Sequence, residues 1–191
     1  MVNEDFFQPP FYHFNEDSIA LSKLAIEYAN RNRITNYLDA GAGCGVIAIE
    51  VLRNSEIAFT HLVEKQEAFH ESIQGNLKKY ISEKNVKITI GSILNIEEIE
   101  TYDLITINPP YFNNKNSRPS HLAQKNICRL YDETELSNLF EKLISLLSAN
   151  GIIFFSFRKN EISVIQKVVD KMNRRLNLLE ELNGASLFSI I

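Results

Sequence analysis

At 191 residues the chain is long enough for one domain with a sizeable core and too short for two full ones. A hydrophobic share of 45% and a charged share of 23% fit an ordinary globular protein, and no apolar run reaches the ~18 residues that span a bilayer. The net charge of −4 excludes general electrostatic adhesion to nucleic acid, so any polyanionic partner must meet a local basic patch.

Taken in chain order, residues 18–31 read as a helix that Asp17 or Ser18 can cap, with Leu21, Leu24, Ala25 and Tyr28 on one stripe. Residues 36–39 form a first strand, stopped by Gly41-Ala42-Gly43-Cys44-Gly45, and 46–53 a short helix apolar nearly all round, as a sandwiched helix is. A second strand spans 58–63 and ends at Glu64. Residues 66–80 make a helix with Phe69, Ile73, Leu77 and Tyr80 aligned, and 86–90 a third strand. The fourth strand, 102–107, runs straight into Asn108-Pro109-Pro110-Tyr111. A polar stretch, 113–130, follows without evident structure. The next helix opens with a capping box at Asp132 and Glu135, carries Leu136, Leu139, Phe140, Leu143 and Leu147, and is expected to stop at Gly151. After it come a fifth strand (152–157), a helix (161–172) and two strands (177–182 and 186–190) that read as a closing antiparallel pair. Strands alternating with helices predict one α/β domain, with 1–33 as an N-terminal segment and helix and 34–191 as the core. Its sheet should have seven strands, mostly parallel, with the last antiparallel.

The glycine loop joins a strand to a helix, where missing side chains let the backbone turn sharply and approach a ligand. A dinucleotide fingerprint would place its third glycine at Val46, but here the glycines alternate at 41, 43 and 45. Asp39, just before the loop, discourages a pyrophosphate and welcomes a cation. S-adenosyl-L-methionine carries an ammonium and a sulfonium and suits it better than NAD. Glu64, 19 residues after Gly45, stands where a carboxylate accepts two ribose hydroxyls. Lys65 beside it, and Ser92 and Ile93 after the third strand, join the expected cofactor contacts, as does Asn108.

Asn108-Pro109-Pro110-Tyr111 sits at the carboxyl end of a strand, beside the crevice of an open α/β sheet. Two prolines stiffen the backbone and remove two donors, so carbonyl oxygens are left uncontested. The Asn108 side-chain oxygen and the Pro109 carbonyl can each accept one hydrogen of an –NH2 group, aiming its lone pair at a sulfonium methyl. Tyr111 offers a face for a planar base, and Phe112 a second. These four residues, Asn108, Pro109, Pro110 and Tyr111, are the catalytic candidates. Methyl transfer of this kind is an in-line displacement carried by positioning and electrostatics, and needs no metal.

Together the glycine loop and Asn108-Pro109-Pro110-Tyr111 resemble the class I, Rossmann-like methyltransferases acting on amino nitrogens, over nearly the whole chain. Tyr12-x-Phe14-x-x-Asp17-Ser18 resembles the N-terminal segment of the small methyltransferase group, which implies cofactor contacts at Phe14 and Ser18. The run through Phe112, followed by a polar loop with Arg118 and Arg129, is similar to bacterial tRNA methyltransferases that modify the adenine amine beside the anticodon of valine tRNA. The resemblance implies a Rossmann-like three-layer α/β sandwich, S-adenosyl-L-methionine as cofactor and a tRNA substrate. The chain departs from the family at Gly91-Ser92, where relatives often carry an acid that holds the cofactor's adenine.

Residues 113–131 contain Lys115, Arg118, His121, Lys125 and Arg129 and no carboxylate, the local patch that the net charge demands. Lys115, Arg118, Lys125 and Arg129 are the expected grip on RNA. The histidines at 13, 61, 70 and 121 show no ligand spacing, so no metal is expected. Glu4 and Asp5 stand where a secretory signal would be basic, and Cys44 and Cys128 cannot build a disulfide framework; a cytoplasmic monomer or weak homodimer is expected. Rival readings are a protein-glutamine methyltransferase acting on release factors, a guanine-amine or DNA-adenine methyltransferase, and a non-catalytic cofactor-binding subunit. The roughly 35 residues before the first strand count against the first of these, whose members usually carry a helical N-terminal domain.

Overall fold

The computed structural model describes residues 5–82, 84–97, 101–115 and 117–191. Glu4, read above for the charge of the N-terminus, and Asn116 of the polar stretch lie outside them.

Helix α1 (Glu16–Arg31) starts two residues earlier than the sequence suggests. Asn15, in extended conformation, is the cap: its side chain accepts from the Ser18 N–H at 3.4 Å. Asp17 and Ser18 are therefore not caps but buried residues of the first turn, where Glu16 and Asp17 also complement the helix dipole. After it come β1 (Asn36–Ala40), α2 (Val46–Asn54), β2 (Phe59–Glu64), α3 (His70–Tyr80), β3 (Val86–Ile90) and β4 (Tyr102–Ile107). The second half holds β5 (Phe112–Asn113), α4 (Ala123–Arg129), β6 (Leu130–Tyr131), α5 (Glu133–Ser145), β7 (Leu147–Phe157), α6 (Ser163–Lys171), β8 (Leu176–Glu181) and β9 (Ser186–Ile190).

Seven strands form one sheet in the order β3-β2-β1-β4-β7-β9-β8, parallel except where β9 runs antiparallel between β7 and β8. Strands buried on both faces read as continuous apolar runs, which is why 102–107 and 152–157 carry so few polar residues. One face buries Leu21, Ala25, Ile49 and Ile73 from α1, α2 and α3 against Tyr37, Leu62 and Leu104. The other packs Phe140, Leu143, Val168 and Val169 of α5 and α6 on Ile105, Phe155 and Phe188. Phe155 stacks on Phe188 at 5.3 Å, with Phe140 edge-on at 5.0 Å. His61 is a core residue: its ring nitrogens pair with the hydroxyls of Tyr102 (2.7 Å) and Thr89 (2.8 Å), and burial lowers its pKa to about 4. Among the described residues no helix is long and apolar enough to cross a membrane.

Two sequence expectations need correction. Helix α5 ends at Ser145 and β7 begins at Leu147, so Gly151 is no helix stop. It lies inside the strand where the pairing shifts register between Tyr102 and Leu104, and a Cβ there would stand 2.7 Å from the Tyr102 carbonyl. The glycine is needed for close backbone approach. The polar stretch, in turn, is structured. It holds the two-turn helix α4, none of whose residues is buried, between the two strands of a short parallel pair, β5 and β6.

Candidate active site

Strands β1 and β4 are parallel neighbours with Ala40 opposite Ile107, so the turn after each leaves the sheet side by side. The order of strands reverses between them, the switch point at which open α/β sheets bind ligands. A cleft of about 960 Å³ opens there, lined by Gly41 and Gly43 on one side and by the stretch from Asn108 to Phe112 on the other.

The glycine loop owes its shape to three left-handed residues: Gly41 (φ 68°), Gly43 (56°) and Gly45 (82°). Gly41 and Ala42 donate to the Val63 carbonyl at 2.8 and 3.1 Å, which fastens the loop to β2. A Cβ on Gly41 would meet nothing within 4 Å, so its missing side chain leaves room on the cleft side. Gly45 caps α2 and lies beneath the loop, outside the lining.

Asp39 is only 1% exposed and does not reach the cleft, contrary to the expected direct contact. One carboxylate oxygen accepts from the Thr106 hydroxyl at 2.7 Å and the other from the Ala48 N–H at 3.2 Å, tying β4 and α2 beneath the loop. Burial raises its pKa to about 7, against the pull of those two bonds. Glu64 does line the cleft. Its oxygens accept from Gly43 N–H (2.9 Å) and Gln66 N–H (2.8 Å), and burial pushes its pKa up as well. Lys65, Ser92 and Ile93 line the same region, where the Ser92 hydroxyl accepts from Leu94 N–H at 3.3 Å.

At the other side the Asn108 amide is fixed at both ends. Its nitrogen donates to Ser18 Oγ at 3.0 Å. Its oxygen accepts from Ser156 Oγ at 2.8 Å and from the Tyr111 hydroxyl, and those two hydroxyls lie 2.6 Å apart. Tyr111 thus turns its hydroxyl inward while its ring stands edge-on to Phe157 at 6.2 Å. The N-terminal segment lines the cleft with Pro10, Phe11, Tyr12, His13 and Asn15. Ser18 holds Asn108, and Tyr12 lies 3.7 Å from where a Cβ of Gly43 would be, whereas Phe14 packs edge-on against Phe6 at 5.7 Å, away from the cleft.

Of the basic loop, Lys125 and Arg129 line the cleft while Lys115 and Arg118 are exposed outside it. Phe112 is not a bare stacking face, as had been expected. The guanidinium of Arg129 sits 5.0 Å from its ring centre and that of Arg158 4.4 Å. Sequence reading missed Arg158, Ser156, Tyr12 and Gln66. Arg158 and Ser156 were within reach of the rule used for Asn108, because they stand at the carboxyl end of the strand paired with β4. Tyr12 opens the motif that Phe14 and Ser18 share but was not singled out as a contact, and Gln66 carries no local signal, since only tertiary packing brings it to the cleft.

A doubly wound sheet with its glycine loop and its Asn-Pro-Pro-Tyr turn at one switch point defines a Rossmann-like fold of the methyltransferase class. The ribosomal protein L11 methylase of Lactobacillus delbrueckii subsp. bulgaricus shares it, with a TM-score of 0.69 at 16% identity over 94% of this chain and 80% of that one. The magnesium protoporphyrin IX methyltransferase of Synechocystis, solved with S-adenosylmethionine bound, gives 0.63 at 14% identity over 91% and 76%. Residues 16–129 match the methyltransferase small domain, and the chain belongs to that family. It is 30% identical over 141 residues, 74% of its length, to the tRNA1(Val) (adenine(37)-N6)-methyltransferase of Pedobacter heparinus, and spans 58% of that relative.

Proposed function

We propose that the chain is an S-adenosyl-L-methionine-dependent N-methyltransferase whose acceptor is the exocyclic amine of an adenine in tRNA. The observation that carries this reading is the single cleft flanked by the glycine loop and by Asn108 to Tyr111. Its donor set fits the cofactor: the Glu64 carboxylate, cradled by two backbone N–H groups, keeps lone pairs for ribose hydroxyls, and Gly41 leaves room for a close approach. When bound, the cofactor supplies an electrophilic methyl group. Everything else falls to positioning by the protein.

Asn108 Oδ1 and the Pro109 carbonyl accept the two hydrogens of the amine, and no N–H of Pro109 or Pro110 competes for them. In the free protein Oδ1 is occupied by the Ser156 and Tyr111 hydroxyls. An incoming amine displaces the Tyr111 bond, and the tyrosine ring is then free to turn toward the base. Ser18 and Ser156 keep the amide from rotating while this exchange occurs. Lys125, Arg129 and Arg158 supply cations for the flanking phosphates, with Lys115 and Arg118 farther out. A tRNA loop base is already partly unstacked, which lowers the cost of bringing it into the cleft. The named activity of the Pedobacter relative supports tRNA and adenine over the other acceptors.

The test is incubation with tritiated cofactor and, separately, total tRNA, rRNA, DNA and release factor. Label in tRNA, recovered in methylated adenosine, is the expected result. Label confined to release factor would replace the RNA reading with protein-glutamine methylation.

A further inference from the structure

Asp17 is a buried carboxylate with no task in the methyl transfer described so far. It is 8% exposed and sits in the first turn of α1, one residue before the serine that holds the Asn108 amide nitrogen. Asn15 Nδ2 donates to one of its oxygens at 2.9 Å. Its other polar neighbour is the Tyr111 hydroxyl. Burial raises the pKa of Asp17, and the bonds from Asn15 and from Tyr111 pull it back. Tyr111 responds in turn, its pKa raised by burial and, after the opposing bond to Ser156, by the charge of Asp17. An ionised carboxylate can only accept, so a bond between the two runs from tyrosine to aspartate.

The tyrosine has one proton and three acceptors around it: Asn108 Oδ1, Ser156 Oγ at 2.6 Å and Asp17. In the free protein that proton goes to Asn108 Oδ1, which also accepts from Ser156 Oγ at 2.8 Å, so both lone pairs of the amide oxygen are taken. Ser156 is fully buried and has no open space into which to withdraw. A lone pair for an incoming amine must therefore come from Tyr111. Moving that proton onto a neutral serine exchanges like for like. Moving it onto a carboxylate gains a charge-assisted bond, roughly twice as strong.

We infer that Asp17 is a positioning residue, which takes the Tyr111 hydroxyl and so frees Asn108 Oδ1 for the acceptor amine. The inference rests on the acceptor reading above. It gives the displaced hydroxyl a destination, and the ring can turn about a bond that stays satisfied. Asp17 touches neither the base nor the cofactor; it acts through Tyr111.

Steady-state methylation of tRNA by wild type, Asp17→Asn, Tyr111→Phe and the double variant tests it, beside calorimetry with S-adenosylhomocysteine. Asp17→Asn keeps the shape but offers a neutral, weaker acceptor and leaves the tyrosine proton on Asn108. Its kcat/KM for tRNA should fall about tenfold while its affinity for S-adenosylhomocysteine stays within about threefold of wild type. In Tyr111→Phe there is no hydroxyl to redirect, so adding Asp17→Asn should change kcat/KM by less than about threefold. A purely structural aspartate would cost the same in both backgrounds, and that result would overturn the inference, as would full activity in Asp17→Asn. Asp17→Ala, which removes the acceptor outright, takes its place in the cycle if the amide variant does not fold. A wild-type chain that methylates no tRNA would instead sink the acceptor reading itself, a distinguishable outcome because it precedes any substitution.

Discussion

Asp39 is an ionisable group in a place where charge is costly. It is fully enclosed, and its pKa of about 7 lies well above the ordinary 3.8. A raised carboxylate pKa means that the folded state holds the proton more tightly than the unfolded chain. Stability therefore falls as pH rises from about 4 toward 7 and is flat above. A cationic ligand above the loop favours the ionised form, so cofactor binding should release a proton below pH 7. Affinity should rise about tenfold from pH 6 to pH 8, and Asp39→Asn should abolish that slope. Calorimetry in buffers of different ionisation enthalpy measures the proton directly; an affinity that is flat with pH in the wild-type chain would contradict the role given to Asp39. Asp39 was legible in the sequence as important but not for the right reason. Its spacing from the glycines is visible, whereas its bonds to Thr106 and Ala48 are tertiary facts.

At the scale of elements, strand positions were readable because their apolar runs and flanking glycine and proline are local signals. The two turns at the switch point were readable for the same reason. Helix ends were less so. Asn15 caps α1 from a segment whose own conformation depends on packing, and Gly151 mimics a helix stop while serving a bulged strand. That strand gives a sharp test. A methyl at Gly151 would press on the Tyr102 carbonyl at 2.7 Å and on Leu147 at 2.9 Å. Gly151→Ala should cost about 1–3 kcal/mol in denaturant unfolding, as overpacking does. An unchanged midpoint would mean that β4 and β7 part easily at this point. The polar stretch was the least legible element. Helix α4 buries none of its residues and so lacks the apolar periodicity on which sequence reading depends.

For the molecule as a whole, a net charge of −4 coexists with cations gathered at one cleft. The proposed RNA acceptor would then be held by that patch, with an affinity that weakens steeply with salt. Each phosphate contact contributes about 0.7 to the slope of log affinity against log salt for a single-stranded segment. Replacing Lys125, Arg129 and Arg158 by glutamine should lower the magnitude of that slope by about 2 in filter binding. A slope unaltered by all three changes would move the RNA surface elsewhere on the protein.

The central claim is a division of labour across one cleft, with the cofactor held from the glycine-loop side and the amine captured at Asn108. Nucleoside analysis of tRNA after incubation with cofactor, run beside calorimetry with S-adenosylhomocysteine for wild type and Asn108→Ala, tests it most directly. The account predicts N6-methyladenosine with wild type only, and ligand affinities within about threefold of each other, because that side chain holds the acceptor rather than the donor. Methylation that persists in Asn108→Ala, or a loss of ligand binding that accounts for its inactivity, would contradict it.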